Sequence, residues 1–295
     1  VTVTSGCTEA LASSFLGLID PGGEVVIVEP FYDSYPADVA LAGAIPRFVT
    51  LSPPHFELDE EALRAAFGPK TKAILINTPH NPTGRVFSRD ELQLVADLCK
   101  QHDAIAITDE VYEDLVFEGS HLSLAQLDGM WERTLTLSSL GKTFSLTGWK
   151  VGWAVGPAAL TQGIRAAHQF ITFATATPLQ HGAAAALRAP RSFYDELIGA
   201  YRRRRDLLTD GLRSLGFDVF APEGTYFVLA DHTRFGFSDD VAFARHMVTD
   251  IGVAVIPPSA FYHRRVDGKS LVRFAFCKDE STIERALERM TKLSS

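Results

Sequence analysis

Short apolar runs alternate with amphipathic stretches through the first half of this chain of 295 residues, and this alternation limits the folds that it can adopt. The apolar runs are rich in β-forming residues, are bounded by Pro, Gly, Asp or Ser, and lie at 24–30, 72–79, 104–110 and 134–139. Helical patterns separate them, at 9–18, 60–67 and 89–102. Strand–helix alternation with nearly continuous apolar strands predicts an α/β fold with a mostly parallel central sheet and helices on both faces.

The pattern changes after about Pro190. A long helical stretch is followed by a helix at 239–251, a final helix, and four short apolar runs at 217–222, 225–231, 253–258 and 270–276. This predicts a smaller C-terminal α+β domain at 191–295 after a large domain at 1–190. Residues 1–11, VTVTSGCTEAL, read as a strand that runs straight into a helix. A domain rarely begins inside such a unit, so we expect further residues of the large domain upstream.

Composition narrows the possible functions. The net charge of −8 argues against nucleic acid as a partner, because such a partner favours a basic surface. Cys7, Cys99 and Cys277 form no CxxC pair and no zinc-like spacing with histidine, so we expect no metal site, no disulfide framework and a cytoplasmic location. No apolar run approaches the ~20 residues of a membrane helix, so we expect no membrane partner.

Two polar segments follow predicted strands, where open α/β sheets bind ligands. The segment NTPHNPTG at 77–84 fixes a turn that presents Asn81, although it could be a simple loop. The segment ITDEVYED at 107–114 places Asp109 at the end of a buried strand, where a carboxylate needs a cationic partner. The simpler interpretation of the second segment is a helix N-cap with Tyr112 packed in the first turn.

Two further segments have both an ordinary and a chemical interpretation. In SSLGKTFSLTGWKVGW at 138–153, Lys142 follows a glycine turn and has apolar neighbours in the sequence. An amine in such surroundings suits imine chemistry, whereas a surface lysine would have no role. In TSGCTEA at 4–10, small residues precede a helix whose first N–H groups are free. That turn can bind an anion, or can be a tight turn without a ligand.

In this order and spacing, the four segments resemble the class I/II aminotransferases, which are pyridoxal-phosphate (PLP) enzymes of fold type I. The resemblance extends from TSGCTEAL to LVRFAFCK, and PHNPTG together with SSLGKTFSLTGWKVGW is its most specific part. It implies the PLP-dependent transferase fold, the cofactor pyridoxal 5'-phosphate, amino acids and 2-oxo acids as small-molecule substrates, and a homodimer with shared active sites.

The resemblance also implies three catalytic residues. Lys142 would form the Schiff base with the cofactor and move the proton between the substrate α-carbon and the cofactor C4′. Asp109 would keep the pyridine nitrogen protonated, so that the ring withdraws electrons. Tyr112, together with Asn81, would hydrogen-bond the phenolic oxygen of the cofactor.

The remaining matches imply binding roles. Tyr32, in EPFYDSY, would stack on the cofactor ring. The phosphate would be held by Gly6, Cys7, Thr8, Ser139 and Lys150. On the substrate side, Arg273 in LVRFAF would pair with the carboxylate, Asn81 would contribute a further contact, and Phe173 would reach the partner subunit's pocket.

The sequence leaves the substrate and the reaction open. The motifs are similar to kynurenine/glutamine/methionine aminotransferases, which favours transfer from a large neutral or aromatic L-amino acid, glutamine, methionine or kynurenine to a 2-oxo acid. They are equally similar to N-succinyldiaminopimelate aminotransferases. A cysteine-conjugate β-lyase would use the same lysine. The chain could also be an aminotransferase-like effector domain of a transcriptional regulator, or an α/β protein without a cofactor.

Overall fold

The computed structural model describes residues 1–294, and a seven-stranded sheet forms its centre. The strands are β1 (Thr2–Thr4), β2 (Glu24–Glu29), β3 (Ile45–Thr50), β4 (Thr71–Asn77), β5 (Ile105–Asp109), β6 (Thr134–Ser139) and β7 (Gly152–Val155). Their order across the sheet is β1-β7-β6-β5-β4-β2-β3. Every pair of neighbouring strands among β2 to β6 is parallel, whereas β7 is antiparallel to both β6 and β1. The predicted mostly parallel sheet is confirmed.

Six helices accompany this sheet: α1 (Gly6–Leu18), α2 (Ser34–Leu41), α3 (Glu60–Ala66), α4 (Arg89–Gln101), α5 (Ala158–Ile171) and α6 (Thr177–Ala186). Because side chains alternate along a strand, β2 contributes to two cores. Val25 and Ile27 belong to a cluster with Phe15 of α1, whereas Val26 and Val28 belong to one with α4. The sheet is therefore covered by helices on both faces, as predicted.

The carboxyl ends of three neighbouring parallel strands lie at one edge of the sheet. Asn77 ends β4 and pairs in register with Asp109, which ends β5, and Asp109 pairs with Leu137 of β6. The segments that follow these strands contain Asn81, Tyr112 and Lys142. The parallel register thus brings together side chains that are far apart in the sequence.

The C-terminal part contains α7 (Arg191–Ser214), β8 (Asp218–Phe220), β9 (Phe227–Asp231), α8 (Asp240–His246), β10 (Leu271–Ala275) and α9 (Glu280–Met290). Its three strands form a separate antiparallel sheet in the order β10-β9-β8. Leu11 of α1 and Phe243 of α8 belong to one hydrophobic cluster, so the two parts share a core. We propose a boundary at residue 190, because α7 begins directly after it.

Some predicted element bounds are wrong. The run at 253–258 is not a strand but makes one isolated bridge, between Ile256 and Arg273, because Pro257 and Pro258 have no N–H to donate. The helix predicted at 239–251 is α-helical only over Asp240–His246 and then continues as a π-helical turn. The helix predicted at 9–18 begins three residues earlier, at Gly6. No helix within residues 1–294 is both long and apolar enough to span a membrane.

A capping box of Ser88 and Glu91 begins α4. The Ser88 hydroxyl accepts the Glu91 N–H at 3.2 Å, and the Glu91 carboxylate accepts the Ser88 N–H at 2.8 Å. We expect Ser88→Ala to lower the free energy of unfolding by about 1 kcal/mol, because one N–H loses its partner. Thermal or urea unfolding would measure this change. Ser120→Ala, at an exposed loop serine, is the control and should leave the transition in place.

Candidate active site

A cavity lies at the carboxyl edge of the seven-stranded sheet, and its empty space is about 710 Å³ when the part that is open to solvent is included. The ten residues predicted to act as catalytic or cofactor-binding residues all line it: Gly6, Cys7, Thr8, Tyr32, Asn81, Asp109, Tyr112, Ser139, Lys142 and Lys150. The fold therefore brings the four sequence segments together in one place.

The first turn of α1 forms one end of the cavity. Gly6 has a φ of +78°, and a Cβ placed there would lie 3.4 Å from the Lys150 amine. Gly152 of β7 is equally constrained, since a Cβ there would lie 2.8 Å from the Cys7 backbone nitrogen. Because Gly6 and Gly152 have no side chains, the Lys150 ammonium group can approach the N-terminus of α1. The N-cap residue of that helix, Ser5, makes no capping hydrogen bond with its side chain. Free N–H groups beside a cation fit a phosphate group.

Asp109 lies on the floor of the cavity and is only 5% exposed. Burial raises the pKa of this carboxyl group above its usual range, and a hydrogen bond from Tyr35 opposes the increase. The hydrogen bonds to its two oxygens come from uncharged donors on Cys7, Tyr35 and Val111. A buried carboxylate is most stable beside a cation, and a protonated pyridine nitrogen in the cavity would provide one.

Lys142 points its amine toward two tyrosines. Its Nζ donates a hydrogen bond to Tyr226 Oη at 3.1 Å and lies 5.4 Å from the ring centroid of Tyr112. Of its apolar neighbours in the sequence, Leu146 lines the cavity, whereas Leu140 is buried in a separate cluster against which Phe144 packs. Burial raises the pKa of Tyr112 well above its ordinary value, so its phenol stays protonated and can donate to an anionic oxygen.

Tyr226 was not identified from the sequence. It lies just before β9, in a run of aromatic and β-branched residues that indicates only a strand, and no motif includes it. The packing of β9 against the large part brings it to Lys142, 84 residues away in the chain. A tyrosine at a strand start is too common a signal to mark a functional residue.

Arg273, on β10, contacts Asn81, which lines the cavity. Its Nη1 donates to Asn81 Oδ1 at 3.0 Å, and its guanidinium lies between the rings of Phe227 and Phe261, with centroid distances of 4.2 and 4.8 Å. Asn81 is itself fixed, because its N–H donates to Asn77 Oδ1 at 2.7 Å. Burial lowers the pKa of Arg273, but a guanidinium stays charged in proteins. A fixed guanidinium of this kind suits a substrate carboxylate.

Phe173 lies apart from these residues. Its side chain is 80% exposed, its φ is +68°, and it follows the C-terminal end of α5. The cavity is lined by other residues of the same chain. The predicted role of Phe173 concerns the pocket of a partner subunit, and it stays a prediction.

We expect Tyr226→Phe to slow the reaction of the PLP-loaded protein with an amino acid by about 2- to 10-fold, because one hydrogen bond to the Lys142 amine is lost. Stopped-flow absorbance of the bound cofactor measures this rate. Tyr201→Phe is the matched control, since its ring stacks on Tyr226 at 6.2 Å and does not contact Lys142. Equal effects of the two changes would show that the ring packing matters and the hydroxyl does not.

The fold and this site define a PLP-dependent enzyme of fold type I. The sequence profile described as "Aminotransferase class I and II" matches residues 1–290, and the chain belongs to that family. It is therefore a PLP-dependent aminotransferase, as the sequence motifs predict.

Three known proteins show how far the similarity extends. The solved structure of N-succinyldiaminopimelate aminotransferase from Mycobacterium tuberculosis superimposes with a TM-score of 0.96 and 46% identity, over 99% of this chain and 77% of that one. The methionine aminotransferase YbdL from Escherichia coli superimposes with a TM-score of 0.94 and 38% identity, over 99% and 76%. A kynurenine–oxoglutarate transaminase from Dictyostelium discoideum is 39% identical over 99% of this chain and 76% of its own length.

Proposed function

We propose that this chain transfers the amino group of an L-amino acid with a large neutral side chain to a 2-oxo acid. The observation that carries the proposal is the convergence of Asp109, Lys142 and Lys150 around one cavity, with Arg273 hydrogen-bonded to Asn81 beside them. Each group meets one need of the reaction, which requires an ionised partner for the ring, a base near the α-carbon and a fixed substrate carboxylate.

Each residue would have its own role in the reaction. Bound pyridoxal phosphate supplies an electron-withdrawing ring that stabilises negative charge at the substrate α-carbon. Lys142 would link covalently to the cofactor and, once the substrate amine has replaced it in that link, its freed amine would remove the α-proton of the substrate. Asp109 would stay ionised and keep the ring nitrogen protonated, and Arg273 would orient the substrate through its carboxylate. Tyr112 and Asn81 would donate to the phenolic oxygen.

The other contacts would anchor the cofactor. The aromatic ring of Tyr32 would stack on the pyridine ring. The phosphate would lie against the backbone of Gly6, Cys7 and Thr8, the Ser139 hydroxyl and the Lys150 amine. Lys150 brings a positive charge to a helix N-terminus, where the partial charges of the helix act in the same direction.

The charges around the cavity favour a neutral substrate side chain. In residues 1–294, the cations that line the cavity are Lys142 and Lys150, and Arg273 is hydrogen-bonded to Asn81 of the lining; each of the three has a proposed role already. A second carboxylate on the substrate would therefore lack a cation from this chain. The 46% identity to N-succinyldiaminopimelate aminotransferase makes that acyl amino acid the second candidate substrate.

A screen of half-reactions tests the proposal. The PLP form is mixed with single amino acids and with N-succinyl-diaminopimelate, and the absorbance of the bound cofactor is followed. We expect methionine, glutamine, kynurenine or aromatic amino acids to react fastest. Preference for the succinylated substrate would instead establish the second candidate, and no reaction with any amino donor would contradict the proposed function.

Product analysis separates transamination from β-elimination and from a purely regulatory role. With a cysteine conjugate and no oxo-acid acceptor, pyruvate and ammonia would indicate β-lyase activity, because the β-substituent then leaves before the amino group is transferred. An amino-acid product that forms only when a 2-oxo acid is present indicates transamination. A protein that binds PLP and amino acids but releases neither product would support a regulatory role.

We also propose that the chain acts as a homodimer with shared sites. Support comes from the exposed apolar side chains at the end of α5, where Phe170 is 86%, Ile171 46% and Phe173 80% exposed, since such patches mark interfaces. Sedimentation would detect the dimer, and Phe170→Asp should weaken it. Val266→Asp, at an exposed apolar residue in the C-terminal part, is the control.

Two further parts of the proposal concern the binding partners of the protein and its location in the cell. Small-molecule substrates, rather than nucleic acid or a membrane, are the expected partners, which the acidic net charge of −8 supports. We propose a cytoplasmic location, since Cys7, Cys99 and Cys277 are all unpaired thiols. Fluorescence microscopy of the tagged full-length protein would test it.

A further inference from the structure

Asp109 receives two side-chain hydrogen bonds that the proposed roles do not include. Tyr35, on α2, donates from its hydroxyl to Oδ2 at 2.8 Å. Cys7, in the first turn of α1, donates from its thiol to Oδ1 at 3.6 Å. The Val111 N–H also donates to Oδ1, at 3.3 Å. Both carboxylate oxygens are therefore engaged, and the two side-chain donors come from two different helices.

These donors are buried together with their acceptor. Tyr35 is 3% exposed, Cys7 9% and Asp109 5%. Burial, and then the negative charge of Asp109, raise the pKa of both the Tyr35 hydroxyl and the Cys7 thiol well above their ordinary values. Both groups thus stay protonated at neutral pH and act as donors. Donors directed at a carboxylate stabilise its ionised form.

The two donors also connect Asp109 to the rest of the cofactor site. The Tyr35 ring packs edge-on against Tyr32, with centroids 5.7 Å apart, and Tyr32 is the residue proposed to stack on the pyridine ring. Cys7 lies between Gly6 and Thr8, whose backbone is proposed to hold the phosphate. A shift of Tyr35 or Cys7 would therefore change the direction of the Asp109 carboxylate relative to both ends of the cofactor.

We propose that Cys7 and Tyr35 are positioning residues that keep Asp109 ionised and aimed at the ring nitrogen of the bound cofactor. The proposal rests on the role of Asp109 in the proposed function. The proton between Asp109 and the ring nitrogen has two possible positions. Two hydrogen bonds to the carboxylate stabilise the anion, so the proton stays on the nitrogen. Without them the carboxylate is more basic, and the proton moves toward Asp109.

The test uses the full chain loaded with PLP that is isotopically labelled at the ring nitrogen. Nuclear magnetic resonance of that nitrogen reports its protonation at each pH. We expect Tyr35→Phe to decrease the ratio of protonated to unprotonated nitrogen at neutral pH by about tenfold or more, because a charge-assisted hydrogen bond is lost. Cys7→Ala should decrease it by less, since a thiol is a weak donor, and Cys7→Ser should restore it.

Matched controls separate this effect from a loss of buried groups in general. Tyr262→Phe removes the hydroxyl of another buried tyrosine, which has no hydrogen-bond partner in residues 1–294. Cys99→Ala removes a fully buried thiol away from the cavity. Both controls should leave the nitrogen signal and the PLP affinity at the wild-type values.

A double-mutant cycle shows whether the residues act through Asp109. We expect Tyr35→Phe to weaken PLP binding in the otherwise wild-type protein, which absorbance titration measures, and to have no such effect in the Asp109→Asn background. An unchanged effect in that background, or an unchanged nitrogen signal in Tyr35→Phe and Cys7→Ala with the cofactor fully bound, would overturn the proposal. If wild-type protein does not take up PLP, the proposed function itself has failed, which is a different outcome.

Discussion

Replacing Lys142 by alanine is expected to abolish the covalent link to PLP and to lower transaminase activity by about 10⁴-fold or more, because the nucleophile and the general base are lost together. Reduction with borohydride followed by mass spectrometry measures the link directly. The wild-type protein should gain the mass of one reduced cofactor per chain, on a peptide that contains Lys142. The alanine variant should gain none.

Lys150→Ala is the matched control for this experiment, since it removes a lysine from the same cavity. We expect the reducible link at Lys142 to persist in this variant, while the affinity for PLP decreases because a cation beside the N-terminus of α1 is lost. A cofactor that remains attached after Lys142→Ala, or that detaches only after Lys150→Ala, would exchange the two roles and contradict the proposed site.

Replacing Arg273 by alanine is expected to lower kcat/KM for the amino donor by about 30-fold to several-thousand-fold, which corresponds to roughly 2–5 kcal/mol for the loss of a buried charged partner. The affinity for PLP should change little, because the proposed contact of Arg273 is with the substrate carboxylate. Steady-state kinetics with several donors and a separate PLP titration measure the two effects.

Arg273→Lys tests the geometry of that contact, since lysine keeps the charge but cannot make the two parallel hydrogen bonds of a guanidinium. We expect kcat/KM to recover only in part. Arg265→Ala, at an exposed arginine of the same part of the chain, should behave as wild type. If Arg273→Ala weakens PLP binding as strongly as it weakens turnover, the assignment to the substrate is wrong.

The main features of the fold could be predicted because they depend on local patterns. The strands β4, β5 and β6 are nearly continuous apolar runs that end in turn residues, and α4 has its capping box. The edge strand β3 was missed, since its IPRFVT sequence includes a proline and only one of its side chains, Val49, is buried. The strand predicted at 253–258 is the opposite error, because the prediction gave the apolar residues of that run more weight than its two prolines.

The site was predictable to the extent that its residues lie in contiguous motifs. Asp109 ends β5 and Lys142 lies in the segment that follows β6, and the parallel register brings them to one edge. Tyr35 and Tyr226 were missed because each reaches its partner only through the packing of another element, and nothing local distinguishes them from core aromatics. Tyr35 is in fact buried and packs in the same cluster as Phe15.

The position of Arg273 in the chain has a consequence for how the enzyme can diversify. The ten residues proposed for the cofactor and its chemistry all precede residue 191, whereas Arg273 reaches Asn81 from the C-terminal sheet. A small rotation of that sheet would alter the hydrogen bonds of Arg273 to Asn81 and of Lys142 to Tyr226, but the hydrogen bonds to the Asp109 carboxylate come from the large part and would stay in place. Substrate preference can therefore change through the C-terminal part while the cofactor is still retained.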